Sequence, residues 1–293
     1  MSQPKLDKWA EWLLHRRDGD DEEQHRQAMD YLLPIRDRVL DNAQLRPGDI
    51  VLDVGAGDGL LAFGAVERVR PRGRVVLSDI SEDLVDHARS IAIELGVADE
   101  MAFLVAGAEA LDVIDSASVD AVTTRSVLIY VADKEIAFSE FGRVLRPGGR
   151  LSIFEPINSY FPDSIDEFWG FEARSVRDLV EKVFEYEGWL PPRSLDDPML
   201  NFRDEDLVQL AERTGFREIR LDLDVVVRPS DWVISWDQLL DVAPNPNAHT
   251  VGEALEGALT PEERERLTAH VRPLVDAGMA VWRSAEAFLT ATK

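Results

Sequence analysis

The stretch Val51-Leu-Asp-Val-Gly-Ala-Gly-Asp-Gly-Leu60 reads as a buried strand that runs straight into a glycine-rich turn. Ile50–Val54 is a nearly continuous apolar run, as expected of a strand covered on both faces. Glycine turns that open a helix hold nucleotide-like ligands, so the spacing decides which one. A phosphate-cradling loop needs Lys-Ser or Lys-Thr after its last glycine, and Leu60-Leu61 stand there instead. A dinucleotide fingerprint needs G-x-G-x-x-G, and counted from Gly55 its third place falls on Leu60. The spacing present is G-x-G-x-G, with Asp53 just ahead of it and Asp58 inside. Two carboxylates oppose a pyrophosphate at a helix N-terminus. They suit a ligand with a cationic amine and no phosphate, and S-adenosylmethionine is such a ligand.

Outward from the loop, strand and helix alternate. Leu60–Val69 is helix-like and Val75-Val-Leu77 a second strand. Ser81 caps a helix that stops at Gly96. Met101–Ala106, Val119–Thr123 and Leu151–Phe154 supply three further strands, with a helix through Ile136, Phe141, Val144 and Leu145 before the last. Short apolar strands separated by helices predict a parallel sheet covered on both faces. Asp79, at the end of the second strand, lies twenty residues beyond Gly59, where a carboxylate can accept both hydroxyls of a ribose.

The repeat breaks after Glu155. A proline-rich stretch surrounds the amphipathic segment Phe171–Trp189, and Asp204–Thr214 is helical. Ile219, Leu221, Leu223, Val225 and Val227 alternate as in a strand. Residues 229–282 hold two helical patterns joined by Ala243-Pro-Asn-Pro-Asn-Ala248, and residues 285–292 read as a final strand. Residues 6–16 and 24–44 look helical, separated by the acidic run Asp18–Glu23.

Composition narrows the function classes. With 32 Lys+Arg against 56 Asp+Glu the net charge is −24, and no basic patch offsets it, which disfavours a nucleic-acid partner. The chain has no cysteine, so disulfides, thiolate zinc sites and a cysteine nucleophile are excluded. The first residues lack the apolar core of a signal peptide, and no apolar run is long enough for a bilayer. A cytoplasmic protein with no membrane partner is expected.

These features together resemble the class I (Rossmann-like) S-adenosylmethionine-dependent methyltransferases. The matching segments are VLDVGAGDG at 51–59, LSDIS at 77–81, AGAEAL at 106–111, SVDAV at 118–122 and RVLRPGGRLSIFEP at 143–156, in order. NFRDEDLVQLAERTGFREIRL at 201–221 is similar to the family's last helix and strand pair. The resemblance implies an α/β fold: a doubly wound, mostly parallel seven-stranded sheet whose last strand is antiparallel, with S-adenosyl-L-methionine as cofactor and S-adenosyl-L-homocysteine as product. On this reading residues 1–46 form a helical N-terminal cap. Residues 47–293 form the methyltransferase domain, with a lid insertion at about 156–200 and a helical insertion at about 229–282.

Carried over by motif, Asp53, Gly55, Gly57 and Gly59 would surround the methionine moiety, Asp79 the ribose, and Ile80 the adenine face. Ala108 and Glu109 would lie at the adenine's polar edge, and Arg125 and Ser126 would border the sulfonium and the acceptor. The family often has an acidic residue where Gly107 stands, which leaves adenine N6 to Glu109 or a backbone carbonyl. No metal is implied.

Methyl transfer from a sulfonium needs alignment in a dry cleft, and a general base only if the nucleophile must lose a proton. The catalytic set is therefore open, with Tyr130, Glu155 and the loop histidine His249 as candidates. Tyr31 and Arg36, on the helix before the core, lie where they could reach the cofactor's carboxylate. The seven tryptophans all fall outside the core repeat, as expected of helix contacts or an enclosed apolar pocket. The leading expectation is transfer to O, N or C of a small organic metabolite. A peptide or protein side chain as acceptor, and a non-catalytic cofactor-binding protein, are the alternatives. A homodimer is among the assemblies the sequence allows.

Overall fold

The computed structural model describes residues 5–161, 164–190 and 196–293. The insertion expected at about 156–200 thus includes residues 162, 163 and 191–195, which lie outside the described residues. Lys8–Glu11 (α1) passes into a π-helical turn, Trp12–Arg16, and Glu22–Asn42 form α2. The alternating core follows: Ile50–Val54 (β1), Leu60–Val69 (α3), Arg74–Asp79 (β2), Glu82–Glu94 (α4), Met101–Val105 (β3), Val119–Arg125 (β4), Lys134–Val144 (α5) and Leu145–Pro156 (β5). Ser81 Oγ accepts the Leu84 amide at 3.0 Å and Asp133 caps α5, so polar residues placed just before each apolar periodicity set the helix starts.

The rest comprises a short hairpin, Glu167–Phe168 (β6) and Phe171–Glu172 (β7), then Arg177–Glu187 (α6), Asp204–Arg213 (α7) and Arg217–Pro229 (β8). Trp236–Asp241 (α8), Val251–Ala258 (α9), Pro261–Asp276 (α10) and Val281–Thr292 (β9) complete it. Only 177–187 of the amphipathic stretch Phe171–Trp189 is α-helix, because a strand and a 3-10 turn take its first residues. The two helical patterns expected in 229–282 are three helices. The second ends where Leu259 turns extended, and Thr260 caps the third, its hydroxyl accepting the Glu263 amide while the Glu263 carboxylate accepts the Thr260 amide. Pro261 takes the first helical position, where its missing N–H costs nothing.

Among the described residues, seven strands form one sheet in the order β3-β2-β1-β4-β5-β9-β8. β1 to β5 pair in parallel, and β9 runs antiparallel to β5 with Pro156 opposite Glu286. The last strand is therefore antiparallel, as the resemblance implies, and it lies inside the sheet. Val51, Leu52 and Val54 are fully buried, as their unbroken apolar run predicts.

The chain divides into two compact units. The sheet unit comprises Tyr31–Ser159, Asp196–Asp224 and Glu286–Lys293. One face of its core gathers Val51, Leu77, Ala62, Val66 and Val85. Ile35, Val39, Leu61, Phe154 and Phe288 form a second cluster that seats the later half of α2, and the Ser152 hydroxyl donates to Val39 O at 2.8 Å. The helical unit comprises Met1–Asp30, Tyr160–Leu195 and Val225–Ala285. Its core joins Phe168, Leu179, Trp236, Leu239, Leu255 and Leu267, with Trp169 and Trp232 packed against it. All seven tryptophans belong to this unit. No helix among the described residues is long and apolar enough to cross a membrane.

Candidate functional site

The glycine loop leaves β1 with Gly55, Gly57 and Gly59 at φ of 63, 59 and 94°, all in the left-handed region that side chains disfavour. Space is a second constraint. A Cβ on Gly55 would lie 2.3 Å from Val127 Cγ2, and one on Gly59 would lie 2.5 Å from the Phe63 ring. The Ala56 amide donates to Ser78 O at 3.0 Å, which ties the loop to the end of β2.

Two buried carboxylates flank this loop. Asp53 Oδ1 accepts from the Thr123 hydroxyl at 3.0 Å, a partner on the neighbouring strand in direct register. Its Oδ2 is buried with no hydrogen-bond partner. The Ala62 amide in the first turn of α3 favours the charged form without closing a bond there. Burial pushes the carboxyl up to about 7, against the Thr123 bond and the Arg125 charge. Asp79 Oδ2 accepts the Gly57 amide at 2.8 Å, and Oδ1 accepts the Ser81 amide at 2.9 Å. One side chain thus fixes both the middle of the glycine loop and the start of α4.

Ile80 is 62% exposed beside Asp79, and a Cβ on Gly107 would touch its Cδ1 at 3.9 Å. Ala108 is buried. Glu109 is exposed and accepts the Asp133 amide at 2.8 Å, so its carboxylate serves the start of α5.

Beyond β4 the chain turns sharply. Ser126 sits at φ 56°, a strained conformation for a residue with a Cβ, and donates its amide to Phe154 O at 2.9 Å. Glu155 explains why the turn holds. Fully buried, it accepts the Val127 and Leu128 amides at 2.9 Å each and the Ile129 amide at 3.3 Å. Burial still wins over these bonds and over the Lys134 charge, and pushes the carboxyl up to about 7. Burial, then the Glu155 charge, raises the Tyr130 phenol, while Arg125 at the end of β4 opposes the rise. The Tyr31 hydroxyl donates to Glu286 Oε1 at 2.7 Å, and its phenol is raised by the burial of that end and by the Glu286 carboxylate.

Asp53, the three glycines, Asp79, Ile80, Ala108, Glu109, Arg125, Ser126, Tyr130 and Glu155 all belong to the sheet unit, at or just beyond the carboxyl ends of β1 to β5. That edge is where open α/β sheets bind ligands. His249 belongs to the helical unit, where Nδ1 lies 2.8 Å from the buried Glu187 carboxylate and the ring lies 5.2 Å from Tyr186. Arg36 bonds its neighbour Asp37 at 2.9 Å. Thr123 escapes sequence reasoning because only strand register sets it beside Asp53, and Glu286 because its partner Tyr31 lies on a helix far away in sequence. No cluster of three or more ligating side chains among the described residues could hold a metal ion.

Residues 45–186 match the model of a family described as a methyltransferase domain. The chain is 40% identical over 117 residues to the ubiquinone/menaquinone biosynthesis C-methyltransferase UbiE of Hahella chejuensis, covering 40% of this chain and 47% of that protein. It is 32% identical over 156 residues to the nocamycin O-methyltransferase of Saccharothrix syringae, covering 53% and 54%. The chain thus spans about half the length of the curated relatives it matches. The crystal structure of YcgJ from Bacillus subtilis shares the fold, with a TM-score of 0.54 at 16% identity over 88% of this chain and 97% of that one.

Proposed function

We propose, on the premise that residues 45–186 are a class I S-adenosylmethionine-dependent methyltransferase domain, that this protein moves a methyl group to an O, N or C atom of a small organic acceptor. The observation that carries the reading is the bond between Asp79 and the Gly57 amide, which joins a carboxylate and a glycine loop into one preset cradle. S-adenosylmethionine fits the residues present. The unpartnered buried Asp53 Oδ2 suits a cationic amine, the glycines admit close approach, and exposed Ile80 offers an apolar platform beside Asp79. Asp53 and the glycine loop would hold the methionine end, Asp79 the ribose, and Ile80 and Ala108 the adenine.

When bound, that cofactor supplies an electrophilic methyl group on a sulfonium. The chain's own contribution is placement. Glu155 holds the 127–129 turn through three amides, which fixes Val127 against Gly55 and keeps the acceptor-side loop registered to the glycine loop. Glu155 therefore acts as a positioning residue, since its oxygens are committed to backbone donors. Arg125 supplies positive charge that favours an ionised Asp53. The two relatives, a C-methyltransferase of ubiquinone/menaquinone biosynthesis and a nocamycin O-methyltransferase, support a small acceptor.

Calorimetry with S-adenosylhomocysteine tests the cofactor site. Asp79→Ala removes the carboxylate and is expected to weaken binding about 30-fold or more, as for the loss of charge-assisted hydrogen bonds. Undiminished binding would sink the assignment. Incubation with methyl-labelled cofactor and a fractionated cell extract should label a small-molecule fraction. Label confined to macromolecules would point to a peptide or protein acceptor instead.

A further inference from the structure

Lys134 is an anomaly. It is the first residue of α5, where a cation opposes the helix dipole, and it is only 7% exposed. Burial lowers its pKa, while Glu155, Asp197 and Glu109 favour the charged form. Its ammonium has three donors and uses all of them, on Val131 O at 3.1 Å, Pro198 O at 3.1 Å and Asn201 Oδ1 at 2.7 Å. All three acceptors are neutral oxygens, and the Phe202 ring lies 4.8 Å below the charge. A buried cation placed against the dipole does not serve local helix stability. What it does is join two segments distant in sequence, the loop after β4 and residues 197–202.

That second segment also carries hydrogen bonds of its own. Asp197 Oδ1 accepts the Met199 amide, and Asp197 O accepts the amides of Leu200 and Asn201, all at 2.9 Å. The Ser159 hydroxyl donates to Phe202 O at 2.6 Å. Its two anchors, Lys134 and Ser159, both follow the carboxyl ends of strands, β4 and β5, the ligand-binding edge of this sheet. Between the two Lys134 ties, at Pro198 and Asn201, Met199 and Leu200 are half-buried.

We propose that Asp197–Phe202 is an acceptor-facing strap, that Lys134 is its positioning residue, and that Met199 and Leu200 select an acceptor with an apolar surface. This rests on the methyl-transfer reading above. Lys134 touches neither cofactor nor acceptor; it sets where the apolar wall stands. Losing it loosens the strap without disturbing the Asp53, Asp79 and glycine-loop cradle, so acceptor recognition suffers and cofactor affinity does not.

The test compares Lys134→Met, which keeps the stem and removes the donors, with Lys134→Arg and with Asn201→Ala, which removes one tie only. Amide hydrogen exchange should rise about tenfold at residues 199–201 in Lys134→Met, less in Asn201→Ala, and little in Lys134→Arg. With methyl-labelled cofactor and serial dilutions of the small-molecule extract as acceptor source, the half-saturating extract concentration should rise about fivefold in Lys134→Met while the maximal rate stays within about twofold. S-adenosylhomocysteine affinity should stay within about twofold. Unchanged exchange at 199–201, or a rise spread over the whole chain, would overturn the strap. A loosened strap with unchanged half-saturation would overturn its contact with the acceptor. A wild-type protein that binds no S-adenosylhomocysteine and labels nothing would overturn the parent reading and the acceptor role together, while exchange would still decide what Lys134 holds.

Discussion

Glu155 offers the sharpest test of how the acceptor-side turn is held. Its carboxylate serves three amides, two at 2.9 Å and one at 3.3 Å, in a place with no exposure at all. Glu155→Ala would leave two buried N–H groups and one half-buried one without acceptors, at a cost of about 3–6 kcal/mol in all. Glu155→Gln keeps one oxygen for the Val127 and Leu128 amides and turns an NH2 toward the weaker Ile129 bond, costing about 1–2 kcal/mol at low pH. The two variants differ again in their pH dependence.

The folded carboxyl is raised from 4.5 to about 7. Its stabilising contribution is therefore greatest below pH 4.5 and is lost as pH rises through 7, since the folded state binds the proton more tightly than the unfolded one. Between pH 5 and pH 8, wild type should lose about 2–3 kcal/mol relative to Glu155→Gln. The stability curves should cross near pH 6, with wild type ahead on the acid side and the glutamine variant ahead on the basic side. Urea unfolding at half-unit pH steps measures this, and Asp53, which titrates in the same range, cancels in the difference. Parallel curves, or a wild-type advantage that grows with pH, would refute the claim that desolvation outweighs the three amides at Glu155.

Two further outcomes follow from the donor-side loop. With Asp53 raised to about 7, binding of a ligand that carries an ammonium should release a proton, so S-adenosylhomocysteine affinity should tighten from pH 6 to pH 8; titrations in buffers of different ionisation enthalpy would show the release, and a flat profile would exclude Asp53 from the ammonium contact. Gly55→Ala combines a left-handed φ with a clash against Val127 and should cost about 2–3 kcal/mol by urea unfolding, part of it recovered when Val127→Ala is added; no recovery would place the whole cost in the backbone.

The strands were legible because their burial is written as short apolar runs: Val51, Leu52, Leu77, Val119 and Leu151 all lie in the core. Capping chemistry marks helix starts in the same way at Ser81 and, through Thr260, Pro261 and Glu263 together, at α10. What periodicity cannot carry is pairing across long separations. Lys134 resembles a surface lysine of a helix start until Pro198 and Asn201 arrive, and Thr123 is a strand threonine until register sets it opposite Asp53. His249 reads as a loop histidine because nothing local announces Glu187, 62 residues earlier. Glu155 stood out as a carboxylate at a strand end, but its three amide partners come from a turn whose conformation the sequence does not advertise.

The position of β9 has a consequence for the order in which the molecule can be made. The strand lies between β5 and β8, although it is the last of the seven in the chain. On the ribosome the parallel set β1 to β5 can assemble as it emerges, but β8 then has no neighbour to join until residues 281–292 arrive. A chain halted before that point carries two open strand edges, on β5 and β8, each a template for pairing with another molecule. The sheet therefore closes on a clock set by translation, and termination before residue 281 should yield aggregation rather than a smaller working protein.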